Sequence, residues 1–144
     1  MKAVRSDERE TEQTLIKTMT LDNGLKLEVY DISRKLAGDR WYVGMVAQID
    51  IPLTDSLLAN QPLSNYPAAE IKNAMGAVVR FQQKRERHYI DEREKDALRH
   101  SLTESFIKNT LTYFSRPDFP AKYVFKAFQA CLKRQTWYPD DRRG

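Results

Sequence analysis

The sequence predicts a single α+β domain spanning residues 1–144, in which an antiparallel meander of about four strands carries two C-terminal helices on one face. Three observations indicate this architecture. Apolar residues alternate at two-residue spacing between positions 24 and 51, helix formers lie between Pro67 and Gly76, and apolar residues recur every three to four positions after position 91. Strands followed by helices, with one short helix before the last strand, are typical of an α+β domain.

The first three strands are predicted at residues 14–21, 24–32 and 41–51. Alternation is clearest in the third strand, where the apolar residues share one parity and hence one face of the sheet: Trp41, Val43, Met45, Ala47, Ile49 and Ile51. The second strand places three apolar residues on one face in the same way: Leu25, Leu27 and Val29.

The connections between these strands carry turn signals. Asp22-Asn23-Gly24 predicts a tight hairpin turn, because Asn and Gly tolerate the positive φ angles that such a turn requires. Residues 33–40 contain a Gly-Asp pair and are predicted to form an exposed hairpin loop. Residues 52–67 contain three prolines, which favour an irregular crossing segment over a continuous element.

A short helix is predicted from about residue 66 to 75, with Gly76 closing it in a left-handed conformation. The following residues, 77–90, fit either a strand or a continuation of this helix. We favour the strand, because Val78 and Val79 prefer extended backbone and Gly76 would cost about 1 kcal/mol inside a helix. A strand of that length would be unusual, so its distal half is expected to overhang the sheet.

Two amphipathic helices are predicted after this strand. The first begins at an N-cap, Asp91, with Glu94 three residues later, and its apolar stripe contains Leu98, Leu102, Phe106, Thr110, Tyr113 and Phe114. The second opens at Asp118 and ends near residues 137–139, with a stripe of Val124, Ala127, Phe128, Cys131 and Leu132. Residues 1–12 and 139–144 are expected to be mobile.

Composition restricts the class of protein. The 41% hydrophobic and 31% charged residues are ordinary for a globular chain, and the longest apolar run is too short to span a membrane. A single cysteine permits no internal disulfide, and no apolar stretch of signal-peptide type is present, so we expect a cytoplasmic protein without a membrane partner. The net charge of +4 is modest for a dedicated nucleic-acid binder.

Residues 82–96 concentrate basic and acidic side chains and raise the question of a binding site. We interpret this stretch as the solvent end of a strand, a turn and the start of a helix, where acids favour the helix N-terminus. A nucleic-acid or anionic-ligand site remains the alternative. It would use basic side chains on phosphates and an aromatic ring for stacking: Arg80, Lys84, Arg85, Arg87 and Tyr89.

A metal-dependent enzyme is the third hypothesis. Asp96, His100 and Glu104 stack along one side of a helix at four-residue spacing, which provides three potential ligands but identifies no fourth. The sequence contains no glycine-rich phosphate loop, no GxSxG elbow and no HExxH pair, so we expect no cofactor and consider an enzyme the less favoured class.

The favoured hypothesis is a non-enzymatic protein-interaction or regulatory module, with a possible homodimer. A short meander leaves strand edges, and an edge that pairs with a partner chain or with a second copy satisfies its free backbone groups. Four aromatic residues are candidate anchors for such a partner: Trp41, Tyr42, Trp137 and Tyr138.

Overall fold

The computed structural model describes residues 13–137 and confirms the α+β class. Its elements in chain order are β1 (Thr14–Thr20), β2 (Lys26–Asp31), β3 (Arg34–Ala37), β4 (Arg40–Pro52), α1 (Asp55–Leu58), a 3₁₀ turn (Leu63–Asn65), α2 (Ala68–Met75), β5 (Val78–Asp91), α3 (Lys95–Phe114) and α4 (Phe119–Trp137). The predicted mobility of residues 1–12 and 139–144 concerns parts of the chain outside the described residues, as does the candidate anchor Tyr138.

All strand pairs in the sheet are antiparallel, and β4 lies at its centre. β5 runs along one edge of β4 over the full length of both strands. β2 and β3 both pair with residues of β4 that also pair with β5, so both must lie along the opposite edge. β1 is beyond β2. In space the sheet is therefore the predicted meander of four rows, in which β2 and β3 share the second row.

The predicted hairpin loop at residues 33–40 is wrong in part. β3 occupies half of it and pairs with β4, with Arg34 opposite Tyr42, and only the Gly38-Asp39 end turns. An irregularity at Ser33 separates β2 from β3, where the Gly44 amide donates to the Ser33 hydroxyl at 3.1 Å. β3 lacks an apolar alternation of its own, and it is extended because the first residues of β4 offer a partner along that edge.

The tight hairpin turn is confirmed. The Gly24 amide donates to the Leu21 carbonyl at 2.9 Å, and Gly24 has a φ of 90°, a conformation that a side chain would strain. The short helix is confirmed as α2, which ends at Gly76 with a φ of 87°. The crossing segment is less irregular than predicted, because it contains α1 and the 3₁₀ turn.

The predicted strand after Gly76 is confirmed as β5, but its distal half does not overhang the sheet. β5 pairs with β4 from Val78 opposite Pro52 to Asp91 opposite Arg40, with one break at His88 and Tyr89. The strand is long because β4, with 13 residues, is equally long. The length of each of these strands is thus set by the other.

The predicted helix start at Asp91 is also wrong. Asp91 is the last residue of β5, and α3 begins at Lys95 after a turn closed by the Glu94 amide on the Asp91 carbonyl. The Asp91 carboxylate accepts a hydrogen bond from the Arg93 amide at 2.8 Å, so it caps this turn. An ion pair of 3.5 Å with Arg40 holds Asp91 beside β4 and extends the strand past the predicted boundary.

The core lies between one face of the sheet and the helices, as predicted. Val43, Met45, Ala47 and Ile49 of β4 are completely buried, which confirms their shared parity. The helices α3 and α4 cover this face with their buried side chains: Leu102, Phe106, Ile107, Phe114, Phe119, Val124 and Phe128. The α3 stripe differs from the prediction, because Ile107 is buried and Tyr113 is 56% exposed.

Candidate protein-interaction site

The outer face of the sheet, opposite the helices, carries two of the predicted anion-binding residues. Arg80 lies across from Asp50 and donates to its carboxylate from Nε at 2.7 Å and from Nη2 at 3.2 Å. This hydrogen bonding holds the pKa of Asp50 below its usual value. Lys84 lies 3.8 Å from the Glu86 carboxylate. Both cations therefore face an acid of the same sheet.

Tyr42 lies on this outer face near the start of β4, opposite Arg34 of β3. Its hydroxyl donates to Glu86 at 2.6 Å, and its ring contacts the Arg34 guanidinium at 4.6 Å and the His88 ring at 5.2 Å. Burial, together with the bond to Glu86, raises the pKa of Tyr42 to about 12. The ring lies over Gly44, where an added Cβ would stand 2.8 Å from the Tyr42 hydroxyl oxygen. The polar groups of Tyr42 and Glu86 thus satisfy each other on this face.

Two more predicted residues, Arg85 and Arg87, belong to the opposite parity and turn toward the helix side. The Arg85 guanidinium lies 5.2 Å from the centre of the Phe106 ring. Each arginine also donates to the carbonyl of the residue before it, Arg85 to Lys84 at 3.1 Å and Arg87 to Glu86 at 2.7 Å. Their charges consequently lie apart from those of the outer-face cations.

Tyr89, the fifth predicted residue, occupies a β-bulge. Between Trp41 and Val43 of β4 the register slips, so that β5 contributes one extra residue. Tyr89 adopts a φ of 57°, and its side chain is 72% exposed. The bulge ends the strict alternation of β5 and separates Tyr89 from the arginines before it. The structure therefore distributes the five predicted residues over two sheet faces and a bulge and does not gather them on one surface.

The predicted metal candidates lie along the exposed side of α3. Asp96 lies 3.2 Å from Lys95, and Glu104 forms an ion pair of 3.7 Å with Lys17 of β1. His100 lies between them and is exposed. Within residues 13–137, no three His, Cys, Asp or Glu side chains converge in a manner that could hold a metal ion.

The outer edge of β5 presents backbone groups that do not bond to β4. The Ile32 amide donates to the Gly44 carbonyl, so even-numbered residues of β4 bond toward β2 and β3, and odd-numbered residues bond toward β5. From Val43 to Ile51 their partners in β5 are also odd-numbered, as Ala47 with Gln83, whereas beyond the register slip Trp41 pairs with Ile90. The N–H and C=O groups of the even-numbered β5 residues from Val78 to Glu86 consequently point away from β4. Among the strands formed by residues 13–137, β5 pairs with β4 alone.

An aromatic groove of about 440 Å³ adjoins this edge. Its wall is formed by four rings and its rim by two lysines: Phe81, Tyr113, Phe119, Tyr123, Lys122 and Lys126. Ring centroids lie 5.3 Å apart for Phe81 and Tyr123 and 5.4 Å apart for Tyr113 and Phe119. Sequence patterns hardly indicate the groove, because its residues come from β5, α3 and α4. The one local signal was Lys122 and Lys126, four residues apart on α4.

The rim of this aromatic groove is cationic. Lys122 forms an ion pair of 3.1 Å with Asp118, which also pairs with Arg116. Hydrogen bonds from Arg116 and Lys122 lower the pKa of Asp118 to about 2. Within the described part of the chain, Lys126 has no ion-pair partner. One positive charge at the rim is thus balanced by a neighbouring acid and the other is not.

Comparison of the chain with models of known protein families, with curated proteins and with solved structures gives no significant match. None of the helices formed by residues 13–137 is long and apolar enough to cross a membrane. The fold and the site therefore define an α+β protein with an open strand edge beside an aromatic, cation-rimmed groove.

Proposed function

We propose that the protein is a non-enzymatic interaction module that binds an extended segment of a partner protein as an additional strand along β5. The observation that carries this proposal is the outer edge of β5, where the backbone groups of the even-numbered residues from Val78 to Glu86 point away from β4. In strand addition, main-chain hydrogen bonds supply affinity and pockets for alternate side chains supply specificity. At this edge the outward main-chain groups of β5 lie beside the aromatic groove, which can serve as such a pocket.

The usable part of the edge extends from Val78 to Glu86, before the bulge. Nine residues of β-strand span about 30 Å, which is enough for a partner segment of similar length. Val78 is 48% exposed at the start of this edge. The edge also has the features by which proteins limit indiscriminate pairing, namely charged side chains and a bulge. The Arg85 and Arg87 guanidiniums already bond to two of its carbonyls, so a partner must displace or bypass them.

The charge of β5 favours an acidic partner over a second copy of the chain. The strand has four basic side chains, Arg80, Lys84, Arg85 and Arg87, and two acidic ones. Pairing two copies edge to edge would bring like charges together, and like charges on opposed strands destabilise a sheet. Homodimerisation is the second form of the proposal. Size-exclusion chromatography with light scattering tests it, and we expect a monomeric mass at all concentrations.

The nucleic-acid alternative has weaker support from the geometry. It needs several cations directed at one phosphate chain, whereas Arg80 binds Asp50, Lys84 lies near Glu86, and Arg85 faces the helix side. The metal-dependent enzyme has less support still, because its candidate ligands lie along a solvated helix flank. Titration with fluorescent single-stranded RNA and DNA at low salt tests the nucleic-acid alternative, and we expect no salt-sensitive binding.

Strand addition is tested by removing one outward backbone donor. Peptides selected against the protein from a displayed random library are measured by fluorescence anisotropy against two variants at the same position, Gln82→Pro and Gln82→Ala. Both variants lose the amide bond to Gln48, but only proline removes the outward N–H. Because this N–H does not bond to β4, the proline variant should fold, as proline does on other edge strands.

We expect Gln82→Pro to weaken the selected peptides by about tenfold, as one lost hydrogen bond with added steric conflict predicts, and Gln82→Ala to bind nearly as the unchanged protein does. Gln83→Pro should unfold the sheet, because its N–H bonds to β4, and it verifies the assigned direction of the backbone groups. Equal affinity for both Gln82 variants, or failure to select any peptide, would contradict strand addition.

A further inference from the structure

We propose that the aromatic groove is a specificity pocket, and that it takes an aromatic or large aliphatic side chain flanked by carboxylates in the partner segment. This inference rests on the proposed function for the way the segment is presented. It goes further by naming the chemistry of the residue that is recognised. Position, ring arrangement and charge support it separately.

The position of the groove follows from the alternation of β5. Phe81 lies between two residues whose backbone groups point outward, and its own side chain is on the helix side of the sheet and lines the groove. A strand added to this edge places every second side chain on that same side. Opposite side chains of adjacent strands are about 5 Å apart at their Cβ atoms. A partner side chain across from Phe81 would thus enter the groove.

The rings that line the groove favour an apolar and preferably aromatic occupant. Phe81 contacts Phe119 and Tyr123 edge to face, at centroid distances of 6.0 and 5.3 Å. Tyr113 contributes an exposed ring, which contacts Phe119 at a centroid distance of 5.4 Å. Aromatic pairs in such edge-to-face or offset geometry are stabilising beyond the area that they bury. The volume of about 440 Å³ lies within the range of sites that enclose a small ligand or a side chain.

The rim determines the charge of the flanking residues. Lys122 and Lys126 lie one turn apart on α4 at the same side of the groove, and the Lys126 charge has no acidic partner within the described residues. Because side chains alternate, a carboxylate two residues from the anchor lies on the same side of the added strand and would meet this charge, whereas a basic residue there would be repelled by it. The positive charge of β5 acts in the same direction. The occupant is therefore an acidic segment with an aromatic or large aliphatic anchor.

The groove is tested with a probe that is too short to pair as a strand. N-acetyl-Asp-Phe-Asp-amide is titrated into the ¹⁵N-labelled full chain, and N-acetyl-Lys-Phe-Lys-amide and oligothymidylate are titrated in parallel. We expect the acidic probe to shift the amide resonances of Phe81, Tyr123 and Lys126. Lys126→Glu should weaken this probe by about threefold or more, as loss and reversal of one exposed ion pair predicts, and should favour the basic probe. The control Lys133→Glu, on α4 outside the groove, should leave the affinities for the acidic and the basic probe unchanged.

The inference fails if the acidic and basic probes shift the same amides equally, or if the acidic probe shifts none. It also fails if oligothymidylate alone perturbs the groove, which would assign the rings and lysines to base stacking. These outcomes are separable from the test of strand addition. Library peptides that are sensitive to Gln82→Pro but indifferent to Lys126→Glu would preserve the proposed function and overturn the specificity pocket.

Discussion

Replacing Tyr89 with glycine should increase the stability of the protein, although it removes a large aromatic side chain. Tyr89 has a φ of 57°, and no other non-glycine residue in the described chain has a positive φ. For an L-residue this left-handed conformation costs roughly 1–2 kcal/mol, and glycine adopts it freely. The side chain is 72% exposed, so its removal forfeits little buried area.

The expected magnitude combines this relief with the greater flexibility of glycine in the unfolded chain, which costs about 0.4–1 kcal/mol. Tyr89→Gly should therefore raise the free energy of unfolding by about 0.5–1 kcal/mol. The matched control is Arg87→Gly, two residues away in ordinary strand conformation, which should lower it by about 0.5–1 kcal/mol. Urea unfolding followed by circular dichroism measures both. If Tyr89→Gly destabilises as much as Arg87→Gly does, Tyr89 is not strained and the bulge is assigned wrongly.

Two further predictions concern packing and acid stability. Gly44→Val should lower the free energy of unfolding by about 1–3 kcal/mol, because the added Cβ would stand 2.8 Å from the Tyr42 hydroxyl oxygen and 3.0 Å from its ring carbon Cε2. Urea unfolding measures this change, and an unchanged urea midpoint would contradict the packing of Tyr42 over Gly44. Burial alone would raise the pKa of Asp31, but hydrogen bonds from Ser33 and Arg99 outweigh it and hold the pKa below 3.8. The Asp31 carboxylate therefore binds a proton less tightly in the folded chain than in the unfolded chain. Its stabilisation of the fold is present above pH 3.8 and is lost as the pH falls through the lower pKa of the folded state. Asp31→Asn should cost about 1 kcal/mol at neutral pH and flatten the acid dependence of the urea midpoint, whereas an unaltered acid dependence would refute the assignment.

The elements whose signals are local followed from the sequence. The shared parity of the β4 residues from Val43 to Ile51 identified the buried face of the central strand, because alternation in a strand is fixed by backbone geometry. The turn at Gly24 and the end of α2 at Gly76 followed from the same kind of local constraint, since both glycines have positive φ angles. The location of the charged stretch at the junction of β5 and α3 was also predictable.

The features set by pairing between distant segments did not follow from the sequence. β3 has no pattern of its own and is a strand because β4 lies beside it, while Asp91 stays in β5 because Arg40 lies opposite.

The sequence by itself determined the class of fold, the buried face of β4 and the division of the chain into a sheet and two covering helices. The tertiary structure alone decided which strand edge is open, where the bulge at Tyr89 falls, and that rings from three elements line one groove. The physical reason is the range of the interactions: periodicity and turn conformation act over a few residues, whereas an edge and a groove exist only after segments far apart in the chain have packed together.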